Sequence, residues 1–314
     1  MNNFKKIGLT ALAGSLVATS VFAGELTATG AASMSVSNIT GTADTSVGKD
    51  FGMGNNVYLK GSGELDNGLT VSISFELDNG ALSTATVPGP FDNHYVEVGS
   101  DALGTLRLSG HGGSSAQGAM DTTAAGDLWN NTLEMTGTMT AAASGNDSLY
   151  YTLPELMTDL VLTASVSPGR ASQDTHTSYG LVYTGVEGLE VKFGQGDSGA
   201  PAAEIETTTM FASYAIGSFT LSASDTNADK TGANDRQATS YQLAYTVSDD
   251  ISVTYGSEKF DLDGSATDEE IDSFGISYTT GGMTITADQY EVKGAANAAG
   301  AVSDKWALTA AFAF

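Results

Sequence analysis

The last ten residues of the chain, Lys305 to Phe314, alternate strictly. Trp306, Leu308, Ala310, Phe312 and Phe314 share one parity, and Ala307, Thr309, Ala311 and Ala313 the other. The same period of two recurs in Leu160, Leu162, Ala164, Val166; in Leu189, Val191, Phe193; in Phe219, Leu221, Ala223; in Ile251, Val253, Tyr255; and in Met283, Ile285, Ala287. Between these positions stand Thr, Ser, Gly and charged residues. A period of two with one apolar and one wet face predicts strands, and strands of about 9 to 11 residues that turn the apolar face to lipid cross a bilayer.

The strands repeat. Tyr151, Tyr183, Tyr214, Tyr245 and Tyr278 fall 32, 31, 31 and 33 residues apart, each closely before a tight turn such as GVEG, IGS, VSDD or TGG. One repeat is therefore a hairpin plus a longer connection, with the tyrosines at one level. An amphipathic ring is favoured at a membrane interface, so the five tyrosines are expected to form an aromatic girdle, with Phe219 nearer the membrane centre. The alternative, a soluble β-repeat with tyrosines stacked in a core, leaves the bare C-terminal aromatic unexplained. Two further short turns, at 65–70 and 99–105, bring the total to seven turns and fourteen strands. A first strand at about 25–36 and the last strand raise the count to about sixteen, an even number.

The expected fold class is thus all-β: a transmembrane antiparallel β-barrel with short periplasmic turns and long outer loops at 38–53, 79–91, 111–146, 168–176, 195–205, 226–236, 261–270 and 293–303. Sixteen strands enclose a lumen that side chains alone do not fill. The loop at 111–146 is much the longest and carries Trp129, Asp121, Asp127 and Glu134; loops of this length are usually functional or disordered.

Residues 1–23 start basic (Lys5, Lys6), run apolar from Ile7 to Phe22 and end on the small Ala23. This pattern predicts a secretory signal peptide, with a barrel domain at 24–314; the alternative is an N-terminal core helix. The formal charge is −25, which argues against nucleic acid and anionic lipid surfaces as partners. Cysteine is absent, so there is no disulfide framework. No segment after residue 23 offers 18 consecutive apolar residues, the minimum for a spanning helix, so a membrane form must be a closed barrel.

Two stretches carry a family resemblance. YVEVGSDALGTLRLSG (95–110) resembles a strand-turn-strand of the general-diffusion porins of the Gram-negative outer membrane, and NDSLYYTLPEL (146–156) resembles the segment after their third loop. The resemblance implies a 16-stranded homotrimer in the outer membrane, surrounded by outer-membrane lipid and inserted by the barrel-assembly machinery, which reads the C-terminal aromatic, here Phe314. It also implies a third loop folded into the lumen, and passive diffusion of ions and small hydrophilic solutes without enzymatic activity. The chain departs from the family at Tyr150, where arginine is common, and at Gly110-His111, where the family has Gly-Arg, so the family's ion preference is not carried over. An adhesive or structural barrel, or a barrel enzyme, is the alternative reading. Against these, the loops lack apolar anchors and the sequence shows no Ser-His pair or cluster of perturbed acids near a rim.

Counting parity from Val57, Leu59 and Leu65, Lys60 and Glu64 are expected to face the lumen. Arg107 faces it between Leu106 and Leu108, and Glu76, Glu97, Glu190, Lys192, Glu258 and Asp288 do so by the same count. With the long loop folded inward, Asp121, Asp127 and Glu134 would face Lys60 and Arg107 across a pore constriction. Acids predominate, and clusters of one sign bias which ions pass, so the expected channel prefers cations. GDSGAP (196–201) resembles the nucleophile segment of chymotrypsin-like proteases, but no histidine stands in a matching context. Residues 225–236 begin like an EF-hand and fail at Lys230 and Arg236. With the acids of 261–270 they leave open adventitious calcium or magnesium; no cofactor or certain metal site is expected.

Overall fold

The computed structural model describes residues 26–41, 48–78, 91–120, 123–130, 135, 142–143, 145–169, 174–199 and 203–314. The expected signal segment, Asp121 and Glu134 lie outside these residues. Among the described residues sixteen strands form: β1 (Leu26–Gly41), β2 (Gly48–Glu64), β3 (Thr70–Asp78), β4 (His94–Ser100), β5 (Gly104–His111), β6 (Ser148–Thr152), β7 (Leu160–Ser167), β8 (His176–Val186), β9 (Leu189–Ser198), β10 (Ile205–Ile216), β11 (Phe219–Lys230), β12 (Arg236–Ser248), β13 (Ile251–Leu262), β14 (Glu269–Thr280), β15 (Met283–Lys293) and β16 (Val302–Ala313). Each pairs antiparallel with its neighbour in sequence, and β1 with β16, so the sheet closes on itself. Closure removes the unpaired edges that neither water nor lipid would cover safely.

The closing seam runs through the last residue. Gly30 N donates to Phe314 O at 2.7 Å, and Phe314 N donates to Gly30 O at 3.0 Å. A Cβ at position 30 would stand 2.6 Å from the Phe314 ring, so glycine there makes room for the terminal aromatic.

Several connections are shorter than the hydrophobic pattern predicts. The expected loop at 38–53 is largely strand, since β1 runs to Gly41 and β2 starts at Gly48. β11 likewise reaches Lys230 and β13 reaches Leu262. Beyond the membrane both faces of a strand are wet, so the alternation fades while the backbone ladder continues. Asp225, the start of the EF-hand-like stretch 225–236, sits on β11 and accepts from Asn227 Nδ2 (2.6 Å) and Gln237 Nε2 (2.7 Å).

The outer face is apolar in a band. On β12 it reads Tyr241, Leu243, Tyr245, all exposed. Tyr183, Tyr214, Tyr245 and Tyr278 lie opposite Leu160, Leu189, Phe219 and Ile251, each the first residue after a short turn. Tyr151 joins the same rim through its hydroxyl, 2.6 Å from Leu103 O. Phe219 therefore stands at the rim and not mid-membrane, its ring 4.7 Å from that of Tyr245.

Candidate functional site: the barrel lumen

The segment after β5 lies against the inner wall. Among the described residues its outgoing arm is bonded to inward hydroxyls on β7, β8, β10, β11 and β12. Ala116 N donates to Ser165 Oγ (3.0 Å) and Ser178 Oγ (2.9 Å), Ala124 N to Ser224 Oγ (2.8 Å), and Ala125 N to Ser240 Oγ (2.8 Å). The Gln117 amide donates to Thr209 Oγ1 (2.8 Å) and accepts from Ala142 N (2.7 Å), so one side chain ties the outgoing and returning arms to the wall. Glycine on the wall allows the close approach: a Cβ at Gly194 would stand 2.7 Å from Met120 Cγ, and one at Gly180 2.7 Å from Ala116 O.

Glu258 on β13 is the strongest tether. It is fully buried, and its two oxygens accept from Leu128 N (2.9 Å) and Trp129 N (3.1 Å), the first amides of a short 3₁₀ turn. A carboxylate there satisfies donors that the turn leaves open. Beneath the loop lie the described apolar clusters. One joins Ala125 and Leu128 to Ile39, Ile271, Val292 and Ala295; the other packs Trp129 against Ala228, Ala238 and Phe260. Among the described residues the loop's hydrogen bonds to the wall fall on β7–β13, and its apolar packing also reaches β14, Val292 on β15 and Ile39 on β1.

Directly opposed residues share a face, so the register carries the inner face from the loop-bonded Ser165 to Tyr150, Arg107, Glu97, Ser72 and Ser62 in turn. Lys60 and Glu64 share parity with Ser62. Glu190 and Lys192 lie opposite Ser213 and Phe211 on β10, and Asp288 opposite Gly275, all on this face.

The expected lumen charges are not equally available to a passing ion. Glu258 is under the loop. Glu76 is 6% exposed and accepts from Asn56 Nδ2 (3.1 Å) and Asn93 Nδ2 (2.5 Å). Arg107, expected to oppose acids across the channel, pairs with Glu97 on its own wall at 3.0 Å, its guanidinium 4.1 Å from the centre of the Tyr95 ring. Lys192 pairs with Glu190 at 2.9 Å and lies 4.7 Å from the Phe211 ring centre. Lys60 is exposed, 5.5 Å from the Tyr58 ring centre, and among the described residues no carboxylate pairs with it. Asp127 is exposed on the loop with φ 57°; its carboxylate accepts from Thr123 Oγ1 (2.8 Å) and Trp129 Nε1 (3.2 Å).

Parity alone did not single out Tyr58, Tyr95, Gln117 or the tethering serines. The signal for the serines was a small hydroxyl at inward positions of several strands. The GDSGAP segment ends β9, where Asp197 accepts from Thr177 N (2.9 Å) and its carbonyl from Ala143 N (2.9 Å), with His176 Nδ1 at 2.7 Å from its carboxylate. That geometry anchors the returning loop. Among the described residues no group of three His, Cys, Asp or Glu side chains stands close enough to hold a metal ion.

A closed sixteen-stranded barrel narrowed by its own third loop directs comparison to known proteins, and residues 8–314 match the Gram-negative porin family. The chain belongs to that family. It is an outer-membrane β-barrel that forms a channel for passive diffusion, and the family speaks for a channel and not an enzyme. Among solved structures it is similar to a loop-deletion variant of OmpT, an outer membrane protein of Vibrio cholerae (13% identity, TM-score 0.72, covering 93% of this chain and 99% of that one). It is also similar to the anion-selective porin from Comamonas acidovorans (14%, 0.70, 93% and 100%) and to Salmonella typhi OmpF in complex with daunomycin (14%, 0.72, 93% and 98%). No curated protein sequence matched the chain. At these identities the porin likeness is one of fold.

Proposed function

We propose that this porin passes ions and small hydrophilic solutes with a preference for cations, and that it works as a homotrimer. The observation that carries the preference is charge. The chain holds 37 acidic against 12 basic residues, and the lumen's Arg107 and Lys192 are each matched by a carboxylate. Fold alone implies no preference, since a barrel 14% identical is an anion-selective porin. In this reading Lys60 faces Asp127 across the narrowest point, with Asp121 and Glu134, outside the described residues, adding to the acidic side. Glu64 and Asp288 hold further negative potential below the constriction. Calcium or magnesium on the acidic outer loops remains adventitious and takes no part in permeation.

Phe314 serves assembly, and the five tyrosines form the periplasmic girdle. The trimer reading is supported by the apolar outer face of β1 and β2, where Leu26, Met34, Phe51 and Met53 are 73%, 60%, 84% and 70% exposed; an assembly of three chains in detergent is the expected mass. The preference is tested by the zero-current potential across a potassium chloride gradient. A cation-selective sign that shrinks at high salt supports it, and an anion-selective sign refutes it.

A further inference from the structure

The wall formed by β1–β4 holds a concave feature. A depression of about 230 Å³ lies among β1–β4, lined among others by Thr27, Lys60, Ser62, Ser72 and Tyr95. Lys60 lies opposite Thr27 and Ser74, and Ser72 opposite Ser62 and Glu97, so all five side chains belong to the lumen face. We propose that this depression is a solute subsite for small monocarboxylates bearing hydroxyl groups, such as sugar acids. The proposal rests on the channel reading above and names a class of solute for it.

Each wall of the pocket supplies part of the match. Lys60 has no carboxylate partner among the described residues, and a charge-assisted bond to a solute carboxylate is the strong contact such an ammonium makes. The side chains of Ser62 and Ser72 make no hydrogen bond among the described residues and offer donors and acceptors to solute hydroxyls. The Tyr95 ring, held by the Arg107 guanidinium at 4.1 Å, presents a flat apolar surface to carbon-bound hydrogens. Beside the pocket the Arg107–Glu97 pair cancels its own charge, which leaves Lys60 as the unpaired cation among the lining residues and suits a single carboxylate. The volume is below the roughly 300–1,000 Å³ of clefts that hold drug-sized ligands, which fits a short acid. A cation-preferring mouth slows arrival of such acids, while the pocket lengthens the stay of those that pass.

The test uses the whole protein in planar bilayers, with the potassium chloride current of each channel as its own reference. D-gluconate, or D-sorbitol as the uncharged control, is added and the half-blocking concentration is read. Gluconate is expected to block at a concentration about threefold or more below sorbitol, the size of effect an exposed ion pair produces. Lys60→Gln is expected to remove that difference, Lys60→Arg to keep it, and Ser72→Leu, which fills the pocket but leaves the ammonium, to weaken gluconate block. Channels that conduct but are blocked equally by gluconate and sorbitol overturn the subsite alone, as does a gluconate block unchanged in both Lys60→Gln and Ser72→Leu. Absence of any channel current overturns the subsite and the channel reading together.

Discussion

Replacing Arg107 with serine changes the lumen by more than one lost cation. The guanidinium is 3.0 Å from the Glu97 carboxylate, so its removal leaves Glu97 as an uncompensated lumen charge. The pair is partly exposed, 39% and 22% for the two side chains, so the barrel loses only about 0.2–1 kcal/mol of stability. The effect on each ion is below thermal energy but has opposite sign for cations and anions. A unit charge about 8 Å from the ion path contributes about 0.5 kcal/mol in water, reduced to about 0.2 kcal/mol by a Debye length of about 10 Å at 0.1 M salt. The contribution favours a cation and opposes an anion by the same amount, so the cation-to-anion permeability ratio rises about twofold. At 1 M salt, where the Debye length is about 3 Å, the change vanishes. Zero-current potentials of wild type and Arg107→Ser in dilute and concentrated salt read this directly. No shift at low salt, or a shift toward anions, would refute the placement of this pair on the channel wall.

Glu258→Ala removes the acceptor of two buried loop amides; hydrogen bonds to charged groups are worth about 1.5–3 kcal/mol, and the Leu128 and Trp129 amides should exchange with solvent at least tenfold faster, with unchanged exchange counting against the tether. Tyr214→Lys, at the rim, should cost about 0–1 kcal/mol against about 2–4 kcal/mol for Leu243→Lys in the middle of the apolar band; equal costs in reversible unfolding from bilayers would contradict the girdle. Deleting Phe314 removes both bonds to Gly30 and the terminal aromatic, so the amount of barrel in the outer membrane should fall; equal surface levels would contradict an assembly role.

The barrel was legible because its lipid-facing band imposes a period of two on every strand, and a turn follows each rim tyrosine. What escaped the pattern lies where that constraint ends. Thr226 to Lys230 read as loop because, above the membrane, neither face of β11 needs to be apolar. Phe219 read as mid-membrane because a large apolar residue suits the band's edge as well as its centre. Parity identified Glu258 and Glu76 as inward, but not that one is capped by loop amides and the other by two asparagines. Those partners are distant in sequence, and only the path of the loop brings Leu128 to Glu258. The pairing of Arg107 with Glu97 was readable in principle, since a turn at Asp101–Leu103 sets them opposite each other.

Single-channel recording of the purified protein in planar bilayers tests the central claim, that loop 111–146 narrows an otherwise open barrel. The account predicts stable open steps in the wild type and larger steps when Ala116–Ala142 is replaced by a short glycine-serine linker. Absence of steps in the wild type, or equal conductance with and without the loop, would contradict it.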